Sequence, residues 1–185
     1  MTHIRRATPA DAEIASDIVC RCYEAFQETD GWPVDVVRDL KKRRGSIDCI
    51  RTLIEDERMW VAEREGRVLG MVSVKGNEIT KLFVDPDHQR QGVGRQLFRR
   101  AEHLIRDAGH ERVFLGAAVR TPVPFYEKMG MTVKGTRRIT FGPCVGMTST
   151  ILDKSRTCAS TKRTGGRASA ALCLTPPKTG PESAV

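Results

Sequence analysis

The stretch 84–95 constrains this chain more than any other: Val84-Asp85-Pro86-Asp87-His88-Gln89-Arg90-Gln91-Gly92-Val93-Gly94-Arg95. An apolar strand pattern stops at Asp85-Pro86, two glycines follow, and a helical period begins with Val93, Leu97, Ala101, Leu104 and Ile105. The first amides of a helix have no intrahelical partner, and the aligned peptide dipoles place partial positive charge there. Glycine brings no side chain to keep an anion away, and Arg90 and Arg95 add formal charge. Such a loop is suited to cradle a pyrophosphate.

Two familiar nucleotide loops use the same physics, and neither fits. A Rossmann loop needs a third glycine three residues after the second, where this chain has Leu97, and it follows the first strand of a parallel unit. A P-loop ends in Gly-Lys-Ser/Thr, where this chain reads Gly94-Arg95-Gln96.

The order of elements narrows the fold. A strand at 3–6 leads into Thr8-Pro9-Ala10-Asp11, which reads as a capped helix start. Ile14, Ile18, Cys22 and Phe26 then recur as one helical stripe. Pro33 opens a second helical stretch carrying Val34, Val37 and Leu40; Gly45-Ser46 breaks or bends it before Ile47, Ile50, Leu53 and Ile54. Strands at 59–63 and 68–75 form a hairpin about Glu65-Gly66-Arg67, and Gly76-Asn77 turns into a third strand, 78–84. A helix over 92–108 closes at Gly109, a strand follows at 112–117, and a short helix runs from Thr121-Pro122 to Gly130. Strands near 131–140 and 145–152 flank Gly142-Pro143. The order β-αα-βββ-α-β-α-ββ is an α+β domain with a mostly antiparallel, mixed sheet flanked by about four helices.

With Gln89, Gly92 and Gly94 in place, the loop resembles the coenzyme A motif Gln/Arg-x-x-Gly-x-Gly/Ala of the GCN5-related N-acetyltransferase (GNAT) superfamily. Residues 79–86 are similar to that family's fourth strand, and Pro124-Phe125-Tyr126-Glu127-Lys128-Met129-Gly130-Met131 to its second signature. Met131 stands where the family usually has Phe, and 115–120 lacks an Asn often found near the coenzyme. The resemblance implies a V-shaped gap between the fourth and fifth strands that takes acetyl-CoA as co-substrate. The pantetheine arm would lie along Leu82, Phe83 and Val84, and the pyrophosphate on the amides of Gln89, Arg90, Gln91, Gly92, Val93, Gly94 and Arg95.

It also implies transfer of the acetyl group to an amine by direct attack in a ternary complex. An alkylammonium must first lose its proton, and Glu78, fourteen positions before Gly92, is the candidate base, directly or through water. Its other reading is a solvated carboxylate after the Gly76-Asn77 turn. Tyr126 is the candidate acid for the leaving thiolate; its other reading is a packed aromatic. A main-chain N–H near Phe83 or Val84 would stabilise the developing oxyanion. Cys20 and Cys22 pair with no base in a readable way, and His88 reads as a loop-surface residue.

Composition sets the remaining expectations. No apolar run approaches the roughly 18 residues of a membrane helix, and the charged N-terminus is no secretory leader; a cytoplasmic protein without membrane partners is expected. The six cysteines form no Cys-x-x-Cys pair and no His cluster accompanies them, so no metal site is expected. The net charge is +8. Residues 155–185 carry five bases against one acid, and Ser, Thr, Ala, Gly and Pro fill 20 of their 31 positions. The chain therefore divides into a domain, 1–154, and a basic low-complexity tail, 155–185, expected to be disordered. Half of the basic excess lies in that tail, which argues against nucleic acid as a partner of the domain.

The acceptor is an amine on a small molecule or a protein, and homodimerisation is left open. Glu24, Glu28, Asp30, Asp35 and Asp39 have two readings: a patch that draws a cationic amine, or, with Lys41-Lys42-Arg43-Arg44 following at once, a solvated helix end. Two rival readings are a non-catalytic acyl-CoA-binding regulatory module, and an acetyltransferase guided by its tail to an RNA- or ribosome-associated substrate.

Overall fold

Each change of apolar period in the sequence becomes a change of element. In order, they are β1 (His3–Arg6), α1 (Ala12–Asp30), α2 (Val34–Arg44), α3 (Ile47–Glu55), β2 (Met59–Arg64), β3 (Arg67–Lys75), β4 (Glu78–Val84), α4 (Val93–Asp107), β5 (Arg112–Ala117), α5 (Val123–Lys128), β6 (Thr132–Ile139) and β7 (Gly142–Thr150). The structure, a computed structural model, describes residues 1–117, 121–139 and 142–151. The expected tail, 155–185, lies outside the described residues.

The strands form one seven-stranded mixed sheet in the order β1-β2-β3-β4-β5-β7-β6. Among the described residues, only the β4–β5 pairing is parallel. β2 and β3 are apolar almost throughout because both of their faces are covered. Trp60, Ala62, Leu69 and Val72 pack in the cluster with Leu97, Phe98 and Ile105 of α4. Met59, Val61 and Met71 pack in the other with Ile18 and Val19 of α1 and Ile50 of α3. Gly70 lets β3 approach β4 closely; a Cβ there would stand 2.7 Å from the Phe83 carbonyl oxygen.

Two details of the helices differ from the sequence pattern. The second stretch is two helices, because Ser46 caps α3 by accepting from the Cys49 N–H at 3.3 Å. Ile14 is 38% exposed, whereas Ile18 and Cys22 are buried. Steps of four overshoot a full turn by about 40°, so the Ile14 end of that stripe rotates out. Ala12, Ala15, Ile18, Val19, Cys22 and Tyr23 make the buried face instead. Met131, where a Phe was expected, is 3% exposed in the α4-side core and fills its place there.

Candidate active site

The site begins with a fault in the sheet. Along β3, Ser73 faces Lys81 but Val74 faces Ile79, so Thr80 has no opposite number and forms a β-bulge. β4 pairs with β5 only at Glu78 and Ile79. Beyond the bulge, Leu82, Phe83 and Val84 run on without a β5 partner, and a gap opens between the strands.

The antiparallel ladder decides which main-chain groups face this gap. The Asp85 N–H donates to Leu69 O at 2.9 Å, which makes Phe83 and Met71 a hydrogen-bonded pair across β3–β4. Phe83 thus commits its main chain to β3, and Leu82 and Val84 turn theirs toward the gap. Of the three residues expected to bind by backbone, Phe83 contributes its side chain.

Just beyond, Pro86–His88 forms a short 3-10 turn and α4 begins at Val93. Gly92 caps it with φ +84°, a conformation that favours glycine. No side chain caps the helix, and its first turn has no acid. Among the described residues, Gln96 is the first amide of α4 with a partner, Gly92 O at 3.2 Å. The amides of Val93, Gly94 and Arg95 have none, as an anion site at a helix start requires.

A cavity of about 430 Å³ joins the gap to this loop, and its walls bring together most of the expected residues. Leu82, Phe83, Val84, Gln89, Arg90, Gly92, Gly94, Arg95 and Tyr126 line it. Val93 turns its side chain into the core, 1% exposed. Gln91 accepts from the Arg64 guanidinium at 3.0 Å and lines no cavity. Glu78 is exposed at the start of β4 and also lines neither cavity. His88 faces Asp85, its Nδ1 3.2 Å from the carboxylate. Arg21 of α1 donates to Asp85 at 2.8 Å and to Asp87 at 2.7 Å, fixing the loop against that helix.

The sequence did not point to Cys22, Phe26 or Thr121 as wall residues. Cys22 Sγ donates to Val84 O at 3.2 Å, and burial, aided by the Asp85 charge, pushes its thiol up to about 12. Thr121 donates to Asp30 at 2.7 Å, tying the end of α1 to the turn before α5. Only the strict periodicity of α1 hinted that Cys22 and Phe26 face the sheet.

A second cavity, of about 120 Å³, shares Phe26, Leu82, Phe83, Pro122 and Tyr126 with the first. It adds Tyr23, Trp32, Lys81 and Arg44. Tyr126 therefore stands where the two spaces meet. Its hydroxyl has no hydrogen-bond partner among the described residues, and burial pushes it up to about 12. It holds its proton at neutral pH and can give it to a stronger base. The acids of the run 24–39 line neither cavity. Glu24 pairs with Lys41 and Asp39 with Arg43. Among the described residues there is no cluster of metal-ligating side chains, and no helix is long and apolar enough to cross a membrane.

The family described as "Acetyltransferase (GNAT) domain" matches residues 35–147, more than half of the chain. Human N-acetyltransferase 8 is 34% identical over 113 residues, which are 55% of this chain and 45% of that protein. The chain thus spans less than half the length of that relative. Peptidyl-lysine N-acetyltransferase YjaB of Escherichia coli is 27% identical over 137 residues, 74% of this chain and 86% of that one. Among solved structures, PaiA N-acetyltransferase from Thermoplasma acidophilum in complex with coenzyme A superposes with a TM-score of 0.69. It is 15% identical, over 81% of this chain and 99% of that one.

Proposed function

The chain belongs to the GNAT acetyltransferase family, and we propose that it transfers the acetyl group of acetyl-CoA to an amine by direct attack within a ternary complex. One observation carries this reading. The unpaired edge of β4 and the uncapped start of α4 open into the same cavity, with Arg90 and Arg95 at its rim. Main-chain groups of Leu82 and Val84 suit an amide-bearing arm, as an added strand would. The bare amides of Val93, Gly94 and Arg95 suit a pyrophosphate. Acetyl-CoA, when bound, supplies an activated acetyl group and a thiol leaving group.

The chain's own groups then have distinct tasks. The Val84 N–H, or that of Leu82, donates to oxygen as negative charge develops on it. Tyr126 Oη keeps its proton at neutral pH and donates it as a hydrogen bond to the sulfur as negative charge develops there. Phe26, Phe83 and Pro122 exclude water from the junction of the cavities. Glu78, exposed and outside both cavities, accepts the amine proton through intervening water. A cytoplasmic setting, where acetyl-CoA is at hand, goes with this reading.

Calorimetric titration of the protein with acetyl-CoA, followed by CoA release over an amine panel, tests it. Saturable binding with amine-dependent release is expected. Absence of acetyl-CoA binding would refute the proposal.

A further inference from the structure

The second cavity has a charge pattern that bears on the acceptor. Lys81 is only 7% exposed, yet it forms no ion pair among the described residues. One of its three N–H donors reaches Arg44 O at 2.7 Å, and the other two have no protein partner there. Arg44 lines the same cavity and adds a second positive charge beside it. Among the described residues, no Asp or Glu lines the space. Elsewhere this protein pairs its buried charges: Asp11 with Arg5, and Asp85 with Arg21. A buried lysine with a cationic neighbour and spare donors lacks an anion.

The remaining walls are aromatic and apolar: Tyr23, Phe26, Trp32, Phe83 and Leu115 among them. The volume suits a compact molecule. Lys81 lines the second cavity, which shares Leu82, Phe83 and Tyr126 with the first, so an acceptor held there would border the space expected for the acetyl group. An ammonium entering the same space would meet two like charges and, among the described residues, no counter-ion.

We infer that Lys81 and Arg44 bind a carboxylate of the acceptor, and that the acceptor is a small amine carrying that carboxylate, of free amino-acid type. This assignment rests on the acetyl-transfer reading and narrows its substrate class. Burial, opposed by the neighbouring Cys49 sulfur and aided by the Arg44 charge, lowers the Lys81 ammonium to about 8, so at neutral pH it is mostly charged, and a bound carboxylate would hold it so. Lys81 acts here as a specificity residue, with its ammonium on the acceptor's carboxylate while the amine faces the thioester.

The experiment uses the full chain with saturating acetyl-CoA. CoA release is followed with free L-amino acids, with their carboxamides, and with an N-terminally blocked lysine peptide. Free acids are expected to exceed their amides in kcat/KM by at least about 10-fold. Lys81→Gln should raise KM for the acids by about 10- to 100-fold, the range of a lost charge-assisted hydrogen bond, and collapse the acid-to-amide ratio toward one. Lys81→Arg should preserve the preference. Melting temperature and acetyl-CoA affinity of each variant show that the fold persists.

Amides or the lysine peptide serving as well as the free acids would overturn the assignment. So would a ratio unmoved by Lys81→Gln, or no turnover of any free acid by a protein that binds acetyl-CoA. Failure to bind acetyl-CoA at all would refute the transfer reading itself, and is measured separately.

Discussion

Cys22 Sγ of α1 and the Val84 carbonyl oxygen at the end of β4 lie 3.2 Å apart, with the thiol donating. The Gln89 side-chain amide donates to the same oxygen at 3.2 Å. The carbonyl is thus satisfied within the protein, and the free main-chain group of Val84 at the gap is its N–H. The same contact gives Cys22 a structural task inside a cavity where a thiol could be mistaken for a nucleophile. With its pKa near 12, almost none of it is thiolate at neutral pH. Cys22→Ser keeps a donor to Val84 O and should retain kcat within about 3-fold. Mass spectrometry after incubation with acetyl-CoA alone should show no acetylated Cys22; a stable acetyl adduct there would replace direct transfer with a two-step path.

Gly92 allows strain and charge to be separated. Its φ is +84°, and a Cβ built there meets nothing within 4 Å. Gly92→Ala therefore costs backbone strain of about 1 kcal/mol without filling the cavity, and should lower the melting temperature by a few degrees while leaving acetyl-CoA affinity within about 5-fold. Gly92→Glu suffers the same strain and adds a carboxylate beside the bare amides of α4. It should lose acetyl-CoA affinity by at least about 100-fold, through charge repulsion at the phosphate position. Calorimetry on the two folded variants checks this; equal affinities would mean that phosphate binds elsewhere.

Tyr126→Phe removes one hydroxyl from the junction of the two cavities and leaves the ring's packing against Phe98 and Phe125 intact. A proton donor to the leaving sulfur matters only as that bond breaks, so kcat should fall by about 10²-fold or more with the KM for acetyl-CoA unchanged. Steady-state kinetics and a thermal melt decide. An unchanged kcat would leave Tyr126 as packing alone.

What the sequence disclosed follows from range. Gly66, Gly76-Asn77, Asp85-Pro86 and Gly109 punctuate the chain locally, and each turn or element end falls where these residues stand. The coenzyme loop was legible for the same reason, since Gln89, Gly92 and Gly94 act through their own backbone. The bulge at Thr80 was hidden because it depends on how 73–74 register against 79–81, a pairing that no local pattern encodes. The small cavity was hidden too. Tyr23, Arg44, Lys81 and Leu115 are scattered over ninety residues and meet only when α1, α2, β4 and β5 pack. Of the two readings of the acid-rich run 24–39, the structure favours the helix-end one for Glu24 and Asp39, which pair with Lys41 and Arg43, and none of the five acids lines either cavity.

The entry to α1 carries a pH-dependent share of stability. Asp11 is 5% exposed, and its carboxylate takes both Arg5 terminal nitrogens, at 2.7 and 2.9 Å, and the Thr8 N–H at 2.7 Å. Burial alone would raise its pKa, but the Arg5 and Thr8 donors outweigh that and hold it below the usual carboxylate range. A folded-state pKa below the unfolded one means that the native state binds fewer protons. The contribution is therefore complete above about pH 4, the unfolded value, and is lost as pH falls through the folded value. Asp11→Asn should cost about 2–3 kcal/mol at pH 7 and progressively less below pH 4, because the wild-type carboxyl then becomes neutral as well. Urea unfolding of both proteins between pH 7 and pH 3 measures the difference; a gap that stays constant across this range would assign the stability of this corner to packing instead of the Arg5–Asp11 charge pair.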